Sequence, residues 1–224
     1  LVYDIAIIGA GASGLQLLYE LTQANPEQKI LLLDSGDRSA KSWCFWENKD
    51  ASCFPFLIEK SWDSMLFKTS KGESITSEIN PLAYHYISSS KFFTYFFEDF
   101  IPANTNITHL NTWVSDLQEL PTGVKISCKN GQIYQAKKVA DSRPVKSTEP
   151  NLIFQHFSGK FIEFEEPILD DTCMTLMDFS LAVSTDEMAV FHYILPFSKT
   201  IALIETTVFT RLDYDKETYE RIWQ

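Results

Sequence analysis

The sequence predicts an α/β fold in two parts, a Rossmann-type domain followed by an antiparallel β-sheet. Residues 1–34 contain a strand, a glycine-rich turn, a helix and a second strand, which is the opening of a parallel βαβ unit. Short antiparallel strands then interrupt any regular βαβ repeat, and the chain from Leu152 onward is typical of antiparallel strands. We therefore expect a first domain over 1–150, with inserted short strands, and a second over 151–224.

The first 34 residues carry the βαβ prediction. Val2–Ile8 is a continuous apolar run that predicts a buried strand, and Lys29–Leu33 is a second run of the same kind. Between them, Ser13–Ala24 has the pattern of a helix, and Pro26 helps to break the chain before the second strand. Asp34 follows directly at the end of that strand.

The middle of the chain predicts short strands around one helix. "SMLFKTS" and "ESITSEI" indicate a hairpin around Lys71 and Gly72. "SSSKFFTYFFEDFI" indicates a helix with N-cap candidates at Ser88–Ser90 and Pro102 after its end. The remaining segments are predicted as short strands: "NITHL", "TWVSDL", "GVKISC", "QIYQA" and "KKVAD".

The composition excludes several classes of function. The 224 residues are 45% hydrophobic and carry a formal net charge of -11, which argues against nucleic acid and against electrostatic docking on anionic lipid. The four cysteines show no CxxC spacing, so we expect no metal site and a reducing, cytoplasmic compartment. No apolar run reaches the roughly 18 residues of a membrane span.

The turn "GAGASG" predicts a dinucleotide site. Gly9 permits the tight turn out of the strand, Gly11 lets backbone N–H groups approach a pyrophosphate, and Gly14 allows the helix to pack closely. Ser13 opens the helix, whose N-terminus favours the anion. Asp34, twenty residues beyond Gly14, is placed to accept a hydrogen bond from a ribose hydroxyl.

Asp34 also limits which dinucleotide can bind. A carboxylate at Asp34 would repel the 2′-phosphate of NADP, which leaves NAD and FAD as the bound dinucleotide. A dehydrogenase usually continues with regular βαβ units, whereas short antiparallel strands follow here. Because that insertion is typical of two-domain flavoproteins, the sequence favours FAD.

Seven motifs follow one another from about Tyr3 to Phe209: "YDIAIIGAGASGLQLLYEL", "ILLLDSGDRSAKSWCFWE", "KSWDSMLF", "DSR", "LIFQHFSGKFIE", "TLMDF" and "FHYILPFSKTIALIETTVF". In order and spacing they resemble the lycopene cyclase family, with the bacterial lycopene β-cyclases as the nearest relatives. The glycine motif is shared by many flavoproteins. "SWCFWE" and "LPFSKTIALIETT" are far more discriminating.

The resemblance implies a hydroxylase-like flavoprotein with an FAD domain and a substrate domain. Family members bind FAD, need it reduced, and use NADPH as the electron source, yet their reaction has no net redox change. They close the linear ends of lycopene into β-rings by acid-initiated carbocation chemistry, which makes them isomerases. Family members also continue past this chain, so the resemblance implies either a fragment whose substrate domain is C-terminally incomplete or a diverged and shortened relative.

Glu205 is the candidate catalytic acid. It interrupts an apolar strand face between Leu203 and Thr207, and burial of that kind raises a carboxyl pKa. Protonation of an alkene requires an acid that is still protonated at neutral pH, and Glu205 matches the family's motif glutamate. The alternative is a carboxylate near a strand end that reaches water.

Three further polar residues have a functional and an ordinary interpretation. Asp178 in "TLMDF" is a second catalytic candidate that assists protonation or holds a substrate-side hydrogen bond, or else a turn or edge carboxylate. Asp141 in "VADSR" ends a strand near the cofactor, or else caps a turn. Arg38 reaches the adenosine side of FAD, or else is a solvated loop arginine.

Aromatic side chains are candidates for the substrate pocket. Trp43, Phe45 and Trp46 present π faces that stabilise a carbocation and shelter it from water. Tyr193 shares a strand face with Phe191 and is expected to floor an apolar pocket. Packing in the hydrophobic core is the alternative for all of them.

The expected partner is lycopene, a hydrocarbon that resides in the bilayer. We therefore expect peripheral, hydrophobic attachment to the inner face of the cytoplasmic membrane, and no sequence feature indicates an oligomeric state. An FAD- and NADPH-dependent monooxygenase or dehydrogenase of an apolar substrate is one alternative. A non-catalytic relative that binds an apolar ligand is the other.

Overall fold

The computed structural model describes residues 2–36, 38–48, 54–143, 152–181, 185, 187–215 and 217–218. Strands make up most of the regular structure in these ranges. In chain order they are β1 Val2–Ile8, β2 Ile30–Asp34, β3 Ser42–Asn48, β4 Lys60–Trp62, β5 Ser64–Lys68, β6 Ser74–Glu78, β7 Leu82–Ser88, β8 Ile107–Asn111, β9 Val114–Leu120, β10 Gly123–Cys128, β11 Ile133–Asp141, β12 Phe154–Glu163, β13 Cys173–Asp178, β14 Met188–Pro196 and β15 Ile201–Thr210.

Two longer helical segments accompany the strands. Helix α1 is Ala12–Ala24. Helix α2 begins as Ser89–Thr94, continues in π-helical turns over Tyr95–Phe100 and ends as Ile101–Ala103. The Ser88 hydroxyl caps it by accepting a hydrogen bond from the Lys91 N–H, as the serine run predicts. Within the described ranges, neither helix has the length and hydropathy needed to cross a membrane.

The chain divides into two compact units that alternate along the sequence. One comprises Leu1–Trp43 and Ile87–Lys146, and the other comprises Cys44–Tyr86 and Ser147–Gln224. This division differs from the expected boundary at residue 150. The physical reason is that β5 and β6, which lie early in the chain, pair into the same sheet as the late strands β12 to β15.

The first unit is an α/β sheet of six strands. Its order is β8-β2-β1-β11-β10-β9, in which β8, β2, β1 and β11 are parallel and β9, β10 and β11 form an antiparallel meander. Strand β2 is buried throughout, which explains its unbroken apolar sequence. "QIYQA" and "KKVAD" were expected as two strands but form the single strand β11, because its pairing with β1 runs from Gln135 to Asp141, across the junction of the two segments.

The second unit is built on an antiparallel sheet. Its order is β12-β15-β14-β13-β5-β6, with β5 and β13 as the parallel exception. The predicted hairpin is confirmed, since β5 pairs with β6 and Gly72 in the turn has φ of +83°. "SWCFWE" forms β3 of a separate three-stranded sheet, β3-β7-β4. The core of this unit contains Trp62, Tyr86, Met174, Leu195 and Leu203.

Candidate functional site

The glycine turn after β1 leaves an open cradle. Gly9 has φ of +97°, a conformation that favours glycine, and a Cβ on Gly14 would overlap the carbonyl oxygen of Gly9. A Cβ on Gly11 would meet nothing within 4 Å. Gly9 and Gly14 are therefore glycines for reasons of folding, whereas Gly11 leaves space into which a ligand can approach the backbone.

Helix α1 points its free N-terminus into this turn. Gly11 stands at the N-cap without a side-chain hydrogen bond, and the first turn contains no acidic residue. Ser13 lies in that first turn and is exposed. The first backbone N–H groups of a helix have no partner within it, so this end can bind a phosphate group.

Asp34 is the last residue of β2 and lies at the same end of the sheet as the glycine turn. Its carboxylate accepts hydrogen bonds from Ala10 N–H at 3.3 Å and Gly36 N–H at 3.0 Å, and from Arg38. Burial acts to raise the pKa of Asp34, but the hydrogen bonds from Arg38 and Ala10 outweigh it and the pKa is lowered. Asp34 is therefore an anionic acceptor at neutral pH, as recognition of a ribose hydroxyl requires.

Arg38 joins Asp34 to helix α2. Its guanidinium forms an ion pair with the Asp34 carboxylate and lies 3.9 Å from the ring centroid of Phe97 and 5.3 Å from that of Phe93. The ring of His109 in β8 lies 5.0 Å from the Phe97 ring. The structure therefore places Arg38 beside the predicted ribose acceptor rather than in a solvated loop.

Asp141 lies at the end of β11, beside the last residue of β1. Arg143 donates to it from its Nη2 at 2.7 Å and from its Nε at 2.9 Å, and this hydrogen bonding lowers the pKa of Asp141. The Ser142 hydroxyl donates to the Ile8 carbonyl oxygen at 2.8 Å. The "DSR" turn thus packs against the glycine turn. The sequence analysis did not identify Ser142 and Arg143 as the residues that hold Asp141 and this turn in place, although the "DSR" motif contains both.

Glu205 lies in the second unit, far along the chain from this turn. In the sheet it stands opposite Tyr193 of β14 on one side and Gly159 of β12 on the other. The carboxyl is half-buried, and the Thr207 hydroxyl donates to its Oε1 at 3.4 Å. Burial raises the pKa of Glu205, and the hydrogen bond from Thr207 offsets only part of that rise.

A phenol and a thiol from the three-stranded sheet complete these surroundings. Cys44 of β3 and Tyr84 of β7 are hydrogen-bonded through their side chains, and both are close enough for the charge of Glu205 to raise their pKa values. Burial raises the pKa of Cys44 to about 12, and it also raises those of Tyr84 and Tyr193. The groups around Glu205 are therefore uncharged at neutral pH. Sequence reasoning missed Cys44 and Tyr84.

The aromatic side chains of β3 lie on two opposite faces of the strand. Trp43 packs edge-on against two phenylalanines of α2, and the Phe45 ring lies 5.5 Å from that of His85. The Trp46 ring lies 4.7 Å from that of Tyr84, which places it on the same face as Cys44. Of the three predicted pocket residues in this motif, the structure therefore brings only Trp46 to a neighbour of Glu205.

Asp178 is fully buried in an ion pair. It stands beside Lys68 of the parallel strand β5, with the Lys68 Nζ 3.0 Å from its Oδ2, and it accepts from Ser180 N–H at 2.9 Å. Burial acts to raise the pKa of Asp178, but the hydrogen bonds from Ser180 and Lys68 outweigh it and lower the pKa. Asp178 thus has the surroundings of a permanent carboxylate, unlike Glu205.

Replacing Asp178 by Asn is expected to destabilise the fold by about 1.5–3 kcal/mol at pH 7, because a charge-assisted hydrogen bond is lost. The lowered folded pKa means that this contribution is present above the unfolded pKa of about 3.9 and is lost as pH falls through the folded value. Urea unfolding at pH 7 and near pH 3 measures the difference. The gap between wild type and variant should shrink at the lower pH, and a gap that is equal at both would contradict the ion pair.

Comparisons with known proteins relate this geometry to a family and a fold. Residues 4–222 match the family described as lycopene cyclase protein. No curated protein matches the chain.

Several solved structures share the fold. A variant of HpxO from Klebsiella pneumoniae, complexed with FAD, has a TM-score of 0.67 and 14% identity, over 98% of this chain and 61% of that one. Halogenase PltM has a TM-score of 0.65 and 11% identity, over 100% and 55%. The tryptophan halogenase from Shewanella frigidimarina has 0.65 and 9%, over 99% and 58%. This chain thus spans somewhat more than half the length of these proteins, and the expected flavoprotein fold is confirmed.

Proposed function

This chain belongs to the lycopene cyclase family, and on that premise we propose that it cyclises the linear ends of lycopene to β-rings. The reaction is a flavin-dependent isomerisation without net redox change, a step of carotenoid biosynthesis. The observation that carries the proposal is the Glu205 carboxyl, half-buried among uncharged groups with a raised pKa. An acid in these surroundings is suited to protonate an unactivated alkene.

In the proposed reaction, Glu205 gives the proton that is added to the substrate and can accept the proton that leaves it. Its carboxyl gives a proton to the terminal double bond, and the neighbouring double bond attacks the resulting cation to form the ring C–C bond. A proton then leaves the adjacent ring carbon, which restores a double bond, and the Glu205 carboxylate is the group that can accept it. Because Cys44 has a pKa of about 12, it stays a thiol and offers no thiolate to trap the cation.

FAD is the proposed cofactor, and the residues of the first unit fit it. The space at Gly11, the uncapped start of α1 and the Asp34 carboxylate match the pyrophosphate and ribose of a dinucleotide. Variants of HpxO and PltM, whose fold the chain shares, have been seen in complex with FAD. When bound in its reduced form, with NADPH as electron source, the flavin supplies a π face that favours nearby positive charge.

Peripheral attachment to the inner face of the cytoplasmic membrane is part of the proposal. Lycopene dissolves in the acyl region of a bilayer, so the protein must draw it from there. A formal net charge of -11 disfavours binding to anionic headgroups, so the attachment is proposed to be apolar.

The test is product analysis in lycopene-accumulating cells that express the full-length gene, followed by assay of the purified protein with FAD and NADPH. Appearance of β-carotene or γ-carotene, without stoichiometric consumption of NADPH, is the expected result. An oxygenated or desaturated product with one NADPH consumed per turnover would favour the monooxygenase or dehydrogenase. Binding of lycopene without any product, unaffected by Glu205→Gln, would favour the non-catalytic relative.

A further inference from the structure

The strand beside Glu205 presents a gap between two phenylalanines. Strand β12 lies at one end of its sheet, and Phe157, Gly159 and Phe161 share the face that carries Glu205. The two phenylalanines are 58% and 53% exposed. Gly159 stands directly opposite Glu205. On this face of β12, the rings of Phe157 and Phe161 therefore stand on either side of Gly159, which has no side chain and lies opposite Glu205.

The backbone does not require glycine at this position. Gly159 lies in extended strand and, unlike Gly9, its φ is outside the left-handed region. A glycine inside a strand weakens it, and it commonly marks close approach of another group. A Cβ on Gly159 would lie 3.6 Å from the Cβ of Glu205 and 3.2 Å from Leu203 Cδ1, which is close enough that the end of the Leu203 side chain would have to shift. Any larger side chain would thus extend alongside the carboxyl.

Side chains stand at the other neighbouring positions of Glu205. Tyr193 lies across the sheet from Gly159, and Leu203 and Thr207 flank the acid along β15. Cys44 and Tyr84 approach it from the three-stranded sheet. Among the described neighbours of the acid in the sheet, Gly159 is thus the position without a side chain.

We propose that Gly159 is a specificity-determining residue, which keeps open the gap through which the branched end of a polyene reaches the Glu205 carboxyl. The inference rests on the proposed function and names the access route of its substrate. Phe157 and Phe161 bound the gap with apolar rings, so it suits a hydrocarbon terminus and disfavours a charged one. A side chain at 159 would hold the alkene away from the acid.

The test compares Gly159→Leu and Gly159→Ala with wild type, and uses Lys160→Leu as the matched control. Lys160 is exposed on the opposite face of β12, so the control places a leucine on the same strand without filling the gap. We expect Gly159→Leu to lower kcat/KM for lycopene by about 10²-fold, because a displacement of about 1 Å has that effect. Gly159→Ala should cause a smaller loss, and Lys160→Leu none.

A second measurement is independent of turnover. Lycopene binding is followed by quenching of intrinsic tryptophan fluorescence, with circular dichroism to verify folding. Weaker lycopene binding by Gly159→Leu than by Lys160→Leu supports the proposal. If Gly159→Leu does not fold, the comparison of Gly159→Ala with wild type decides it. Wild-type activity and binding in both Gly159 variants would overturn the inference while leaving the proposed function intact. A wild type that binds lycopene but forms no ring would overturn the proposed function, and the binding comparison would still decide the gap.

Discussion

Replacement of Glu205 by Gln is expected to reduce the rate of lycopene cyclisation by about 10²- to 10⁴-fold, the contribution typical of a general acid. The amide preserves the shape of the side chain and accepts the hydrogen bond from Thr207, but it has no proton to give to the alkene. Flavin content and folding should stay those of wild type, because Glu205 is a half-buried sheet residue of the second unit. Product formation per bound flavin measures the effect.

The matched control is Glu163→Gln, a change of the same kind at an exposed position on β12. It should leave the rate unchanged. If Glu205→Gln forms rings as fast as Glu163→Gln, the acid is another group and the proposal for Glu205 is wrong.

The pH profile of cyclisation gives a second readout of the same carboxyl. Its pKa is raised by burial, and the reacting form is the protonated one. The rate should therefore be full below the folded pKa and should fall as pH rises through it, at a pH above the ordinary Glu value of about 4.3. A rate that increases across that range would instead indicate a base.

Two substitutions in the glycine turn should separate folding from cofactor binding. In Gly11→Ala, the new methyl group enters open space, so thermal stability should be retained while FAD affinity falls by about tenfold or more, through lost contacts to a charged pyrophosphate. In Gly14→Ala, the methyl group overlaps the Gly9 carbonyl oxygen and forces α1 away from β1. That variant should lose about 1–3 kcal/mol of stability as well as FAD binding.

Thermal unfolding and titration of the apoprotein with FAD, followed by flavin fluorescence, measure both quantities. The Gly11 variant serves as the control for the Gly14 variant, since each adds one methyl group to the same turn. Unchanged FAD affinity in a folded Gly11→Ala protein would contradict placement of the pyrophosphate against this backbone.

The strand, glycine turn and helix at the start of the chain were predictable because their determinants are local. Gly9, Gly11, Gly14 and Asp34 lie within 26 consecutive residues whose order alone specifies strand, turn, helix and strand. Asp34 and Arg38, which form an ion pair, are four residues apart, so this contact is equally local. Period-two alternation likewise predicted that Leu203, Glu205 and Thr207 share a face.

The surroundings of the acids were not predictable, since they depend on pairing between distant strands. Asp178 becomes an ion-paired carboxylate because β13 lies parallel to β5 and brings Lys68 beside it, 110 residues earlier in the chain. Cys44 and Tyr84 reach Glu205 only through the packing of a separate small sheet. A single sequence contains no periodic signal for such registers.

Arg38 contacts both Asp34, the proposed ribose acceptor, and Phe97 of helix α2. Mass action then links occupancy of the nucleotide site to the integrity of that phenylalanine-rich helix, because a ligand held by Asp34 favours the arrangement in which Arg38 stays stacked. On the proposal that FAD is that ligand, the apoprotein is expected to open α2 more often than the FAD-bound protein and therefore to be cleaved faster by proteases.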